Sequence, residues 1–257
     1  MNSKNMVVPA FSVLTAILLA ACGGGGGSSG TAATPAPIVA AQGVYLGTVS
    51  DGREHQTVVL DNDQFYTMYG HTASTAFVIE GFLQGNGKSN NGSFSAPDVV
   101  DSTVNNQRIA ATLSATYTPG VSLNGTLTES AGAVSFTSTP IATAVFNYNA
   151  AANLSDITGK WDLTSLRGFS NSLTIDSTGA FSATSAGCSF SGSFVPRASG
   201  KNIFDVSLSF GASPCVLAGQ SLKGIGLDYV LSNGKRQLII AGIDQSRTNT
   251  AAFFGVR

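Results

Sequence analysis

The stretch "RIAATLSATY" runs from Arg108 to Tyr117 and decides the fold class. Ile109, Ala111, Leu113, Ala115 and Tyr117 fall on one face of an extended chain, and Thr112, Ser114 and Thr116 fall on the other. Successive side chains leave a strand in opposite directions, so this alternation marks a strand buried on one side and wet on the other. "NIFDVSLSF", from Asn202 to Phe210, repeats the pattern, with Phe204, Val206, Leu208 and Phe210 inward and Asp205, Ser207 and Ser209 outward. Turn-forming clusters separate such runs: "DNDQ" from Asp61, "NGKSNNG" from Asn86, "TPG" from Thr118, "ESAG" from Glu129, "RASGKN" from Arg197 and "SNGKR" from Ser232. Strand signals recur about every dozen residues, and no segment after the N-terminal tract carries a long helical stripe. The expectation is an all-β protein of two tandem antiparallel β-barrel or β-sandwich domains, after a signal peptide and a flexible tether.

The two halves read as a duplication. Gly43-Val44-Tyr45 leads to "TVVLDNDQFY", and Gly159-Lys160-Trp161 leads to "SLTIDSTGAF"; the spacing from the first glycine to Asp61 or Asp176 differs by one residue. The expected organisation is a signal peptide over 1–21, a Gly/Ser/Pro-rich tether over 22–41, a first β-domain over 42–152 and a second over 153–257. Charged residues make up 11% of the chain and the net charge is -1, which gives no reason to expect a nucleic-acid partner. The halves differ, however: Ala40 to Ala150 holds three basic and eight acidic residues, and Ala151 to Arg257 holds nine basic and six acidic. Neighbouring domains of opposite charge are expected to attract one another weakly.

"LLAACGGGGGSSG", from Leu18 to Gly30, sets Cys22 between an apolar run and a glycine tract. The apolar run, Val7 to Ala21, is short for a bilayer span and reads as a signal-peptide core behind Lys4. Leu19-Ala20-Ala21-Cys22 resembles the lipobox of bacterial lipoproteins. That resemblance implies cleavage after Ala21, acylation of Cys22 and anchoring in a membrane by more than one chain. Gly23 stands where lipoproteins retained in the inner membrane commonly carry Asp, so the resemblance implies the outer membrane, facing either side. "GCSFSGSFVPRASGKNIFDVSLSFGASPC", Gly187 to Cys215, is similar to segments of uncharacterised proteobacterial lipoproteins, a family that brings no activity. Gly-x-Trp at Gly159 to Trp161 resembles the opening of lipocalin-type up-and-down barrels, in which a late arginine covers the tryptophan. Arg247 and Arg257 are the candidates for that place, and "LDYV" at Leu227 to Val230 is similar to a second lipocalin motif; the first half has Tyr45 in place of the tryptophan.

With Cys22 given to the lipid, Cys188 and Cys215 remain, and an even pair in an exported chain is expected to form a disulfide. A metal site would need histidines nearby, and His55 and His71, both in the first half, are the two histidines of the chain. Gly26-Gly27-Ser28-Ser29-Gly30 matches a G-x-S-x-G string but lacks the strand, turn and helix that expose a nucleophile. "NGKS" at Asn86 to Ser89 lacks the earlier glycine and the helix of a phosphate loop. No catalytic residue, no metal ligand and no cofactor are expected, and the chain is not expected to be an enzyme. One cluster stands out, "FYTMYGH" from Phe65 to His71, which puts Tyr69 and His71 on one strand face as candidate ligand-binding residues. A Tyr/His pair can ligate haem iron; the competing reading is aromatic packing in a barrel strand. The expected function is a lipid-anchored envelope module that contacts another envelope protein or the cell wall without catalysis. The alternative is a carrier of an apolar small molecule or haem inside one barrel, where small inward residues such as Ala111, Ala115 and Gly125 leave room.

Overall fold

Alternation and turn chemistry resolve into antiparallel strands in the computed structural model, which describes residues 39–104 and 107–257. Cys22, the apolar run before it and nearly all of the tether lie outside the described residues. The first nine strands are β1 (Gly43–Val49), β2 (Glu54–Val59), β3 (Gln64–Ala73), β4 (Ala76–Asn86), β5 (Lys88–Asn90), β6 (Ser93–Thr103), β7 (Arg108–Thr118), β8 (Ser122–Glu129) and β9 (Gly132–Pro140). They run in the order β4-β3-β2-β1-β9-β8-β7-β6, and pairing of β4 with β6 closes the ring; β5 is a short arm hydrogen-bonded to β6. A 3-10 turn, η1 (Leu154–Asp156), precedes β10 (Gly159–Ser165), β11 (Ser170–Ile175), β12 (Ala180–Ser185) and β13 (Cys188–Pro196). After them come β14 (Phe204–Phe210), β15 (Ser221–Val230), β16 (Arg236–Ile243) and β17 (Thr250–Val256), and β10 to β17 close into a second barrel in sequence order. Both are up-and-down barrels, and closure removes the free strand edges a sandwich would leave. No helix among the described residues is long and apolar enough to cross a membrane.

Each barrel is plugged at the end where its first strand begins. Trp161 is buried, and its Nε1–H donates to the carbonyl of Ile157 at 2.6 Å. Tyr45 repeats the device with a hydroxyl, donating to the carbonyl of Ala41 at 2.9 Å, again four residues upstream. Burying an aromatic body while satisfying its one polar atom locally is how such a ring closes a core without an orphaned donor. Arg257 lies 4.1 Å over the Trp161 ring and donates to the carbonyls of Thr158 and Asp156, each at 2.7 Å. Of the two arginines that were candidates for this place, Arg257 takes it. Arg247 instead reaches the first barrel, pairing with Asp98 and donating to the Gln84 carbonyl at 2.8 Å.

The barrels share a core between them. On β3, Phe65 and Tyr69 point into the first barrel, whereas Tyr66 and Met68 point out and join Ile225, Leu227, Ile239 and Ala241 from the outer face of the second. On β16, Leu238 and Ile240 fill the second barrel while Ile239 and Ala241 face the seam. Strands at the seam are therefore buried on both faces, and "RQLIIAGI" runs apolar without alternation for that reason. A buried polar relay crosses the seam: Gln56 Nε2 donates to Tyr229 Oη at 2.9 Å, Tyr229 donates to Gln237 Oε1 at 3.0 Å, and Gln237 exchanges two bonds with the Phe77 backbone. At the rim, Arg197 joins Asp61 of the first barrel to Asp205 of the second. Basic residues of the second half thus meet acidic residues of the first, as the charge asymmetry leads one to expect. Cys188, at the start of β13, is disulfide-bonded to Cys215 in the β14–β15 connection.

Candidate functional site in the first barrel

The end of the first barrel opposite the Tyr45 plug holds a cavity of about 290 Å³. Its depth is apolar, walled by Phe65, Leu83, Phe94, Leu113, Leu127 and Phe136. Its mouth is polar, with Arg53, His55, Tyr69, Asp101 and Glu129 converging from five different strands or turns. Concave apolar walls with a few aimed polar groups are the usual make-up of a small-molecule site.

Backbone detail puts the polar groups there. On β6, two residues, Pro97 and Asp98, stand opposite one residue of β7, Thr112. This bulge reverses which residues face inward, so Val99 and Asp101 point into the barrel along with Phe94 and Ala96 on the other side of it. Proline donates no ladder bond, which suits it to such an interruption. On β3 and β4, Tyr69 lies opposite Gly81 and Phe65 opposite Gly85. A Cβ on Gly81 would sit 2.0 Å from Tyr69 Oη, and one on Gly85 would sit 2.6 Å from the Phe65 ring. Aromatic rings folded flat over cross-strand glycines keep to the wall and leave the centre of the barrel open.

His55 is 2% exposed. Its Nδ1 is 3.0 Å from Thr57 Oγ1, which is in turn 2.8 Å from Thr67 Oγ1, and its ring stands edge-on to Phe136. Its Nε2 is buried with no hydrogen-bond partner. Burial pushes the His55 pKa down to about 4, against a smaller opposing effect of the Thr137 carbonyl, so the ring is neutral near pH 7. Tyr69 donates to Asp101 Oδ1 at 2.8 Å, and the Arg53 guanidinium lies 4.2 Å over the Tyr69 ring. Burial raises Asp101 well above the usual carboxylate range, the hydrogen bond from Tyr69 opposes this, and the neighbouring Glu129 carboxyl adds to it. Poor solvation and a neighbouring carboxyl both favour the protonated form of Asp101. The arrangement offers a neutral imidazole nitrogen, an acidic pair and one guanidinium to whatever enters.

Of the residues singled out in the sequence, Tyr69 forms part of this wall and His71 does not. β2 covers β3 as far as Gly70, opposite Glu54. His71 lies beyond that rim on the free extension of the β3–β4 hairpin, 55% exposed, with Nδ1 2.9 Å from Glu80 Oε1. Tyr69 and His71 therefore do not form one ligand-binding pair, and the Tyr69 hydroxyl is engaged by Asp101. Ala111, Ala115 and Gly125 do not line the cavity either. A Cβ on Gly125 would meet Ala115 at 2.6 Å, so these small residues let β7 and β8 pack closely and do not open a space. His55, Arg53, Asp101 and Glu129 escaped the sequence reading. The only trace of the inward Asp101 is Pro97 inside a strand-like run. Among the described residues, no three of His, Cys, Asp and Glu converge to hold a metal ion.

No family model matches the chain, and no curated protein matches it. Among solved structures, the chain is similar to the isotype 1 transferrin binding protein B of serogroup B Neisseria meningitidis, with a TM-score of 0.27 and 8% identity over 80% of this chain. The chain spans 65% of the length of that protein. It is also similar to a DUF3598-family protein of unknown function from Nostoc punctiforme, with a TM-score of 0.23 and 11% identity, covering 84% of this chain and 93% of that one.

Proposed function

We propose that this chain is a lipid-anchored envelope protein, held at the outer membrane through Cys22, whose first barrel binds a small molecule without transforming it. One observation carries the binding reading: His55, whose Nε2 is buried without a hydrogen-bond partner, lines a cavity that also holds Asp101 and Glu129. A polar atom buried without a protein partner is costly until a ligand or an ordered water satisfies it. The ligand that fits has an apolar or aromatic body for Phe65, Phe94 and Phe136, with hydrogen-bond donors such as amines or hydroxyls for His55 and the acidic pair. The glycine tract after Cys22, whose composition is that of a tether, suits this role. Contact with a protein or cell-wall partner is the second role consistent with such a tether, and the cavity favours the carrier role over it.

The test is native mass spectrometry of the full chain purified from its own envelope, beside His55→Leu and Asp101→Asn variants. A reproducible added mass on the wild type that is lost from both variants supports the reading and identifies the ligand. All three chains at the mass of their own bare acylated form, or an added mass kept by both variants, overturn it.

A further inference from the structure

The second barrel is also open opposite its plug, and there the chemistry is reversed. A cavity of about 240 Å³ lies where the β10–β11 turn, the disulfide loop and the start of β17 meet the end of β6 from the first barrel. Its apolar side is made by the rings of Phe190, Phe210 and Phe253, the first of which is stacked against the other two at 5.1 and 5.3 Å. Phe169 and Val216 stand at its edge, 50% and 64% exposed. Among the described residues, no carboxylate lines it.

Two of its polar atoms are buried without a hydrogen-bond partner, Arg167 Nη2 and Thr103 Oγ1, one from each barrel. Burial, and to a smaller extent the neighbouring Arg108, work against protonation of Arg167. A guanidinium and a hydroxyl at the edge of an apolar cleft, each with a donor not used elsewhere, present donors and a positive charge together. We propose that this cleft binds an amphipathic anion, its head on Arg167 and Thr103 and a short hydrocarbon tail against Phe190, Phe210 and Phe253. The volume is that of about eight water molecules, which suits a short acyl carboxylate and not a long-chain lipid. The site is separate from the first-barrel cavity and does not depend on it.

The experiment is carbon NMR of carboxyl-labelled octanoate with the full chain in phosphatidylcholine nanodiscs, against discs without protein. Octanol serves as the probe without a head, and inorganic phosphate as the probe without a tail. A bound carboxyl resonance is expected for the wild type. Arg167→Gln is expected to weaken octanoate about tenfold to a hundredfold, with the thermal midpoint unchanged, and Arg167→Lys to recover part of the loss. His55→Leu, which removes the first-barrel nitrogen, is expected to leave octanoate binding intact. Octanoate bound equally by wild type and Arg167→Gln overturns the proposal, as does octanol or phosphate displacing octanoate at equal concentration. Phosphatidylglycerol added to the discs that displaces octanoate assigns the anion to a lipid headgroup and overturns a soluble ligand.

Discussion

His55 shows how far one residue's environment departs from its surroundings in sequence. In "EHQTVV" it reads as a polar residue at a strand start, yet it is among the most deeply buried polar groups of the barrel. Its folded pKa of about 4 lies below the usual 6.5, so the folded chain holds fewer protons on this ring than the unfolded chain does. Its contribution to stability is therefore full above about pH 6.5 and falls as pH drops toward 4. Denaturant titrations from pH 4 to 8 on wild type and His55→Gln check this. The stability difference between them is expected to move against the wild type by about 3 kcal/mol on acidification. Asp101 has the opposite sign: raised in the folded state, it costs stability as pH climbs above the usual carboxylate range. Asp101→Asn is accordingly expected to gain on wild type toward neutral pH, in the same titrations. Gly81 is the third informative residue. Gly81→Ala places a methyl inside the Tyr69 ring position, so Tyr69 must leave Asp101, and a loss of about 1–3 kcal/mol is expected. Urea midpoints read that loss, and tyrosine fluorescence reads the displaced ring.

At the scale of elements, what the sequence reveals depends on how many faces a strand buries. β7 and β14 each have one wet face and alternate clearly, which is why "RIAATLSATY" and "NIFDVSLSF" identify the class. β2, β3 and β16 meet the other barrel on their outer faces, and their alternation disappears. The barrel ends were partly legible: Gly-x-Trp and a late arginine pointed to the Trp161–Arg257 plug, because both are local to strand ends. The ligand cavity was not, since Arg53, His55, Asp101 and Glu129 are brought together by ring closure and by a bulge that reverses the facing of β6. The disulfide was legible from cysteine parity. It ties the start of β13 to the β14–β15 connection across a separation of 27 residues. Loop-closure entropy for that length corresponds to roughly 3–4 kcal/mol. The Cys188→Ala, Cys215→Ala double variant is expected to lose about that much in equilibrium unfolding, while far-ultraviolet dichroism stays that of closed β-barrels.

At the scale of the whole molecule, the seam makes the two barrels a single thermodynamic object. Ile225, Leu227, Ile239, Ala241 and Ala252 from the second barrel, with Tyr66, Met68 and Phe82 from the first, would all be exposed if either barrel unfolded alone. Exposing that face adds to the cost of every partly unfolded state, so the chain should melt in one transition despite its two closed cores. The relay through Tyr229 tests whether the seam is specific as well as apolar. Tyr229 accepts from Gln56 and donates to Gln237, both largely removed from water. Tyr229→Phe keeps the ring and removes the hydroxyl, leaving the Gln56 amide without its acceptor and reducing what Gln237 receives. The expected cost is about 1–3 kcal/mol. Calorimetry separates the alternatives: a lowered midpoint with calorimetric and van't Hoff enthalpies still equal means the seam couples the barrels throughout. A first transition with half the enthalpy, appearing in wild type or variant, would mean that each barrel stands alone and that the seam is only a contact between finished domains.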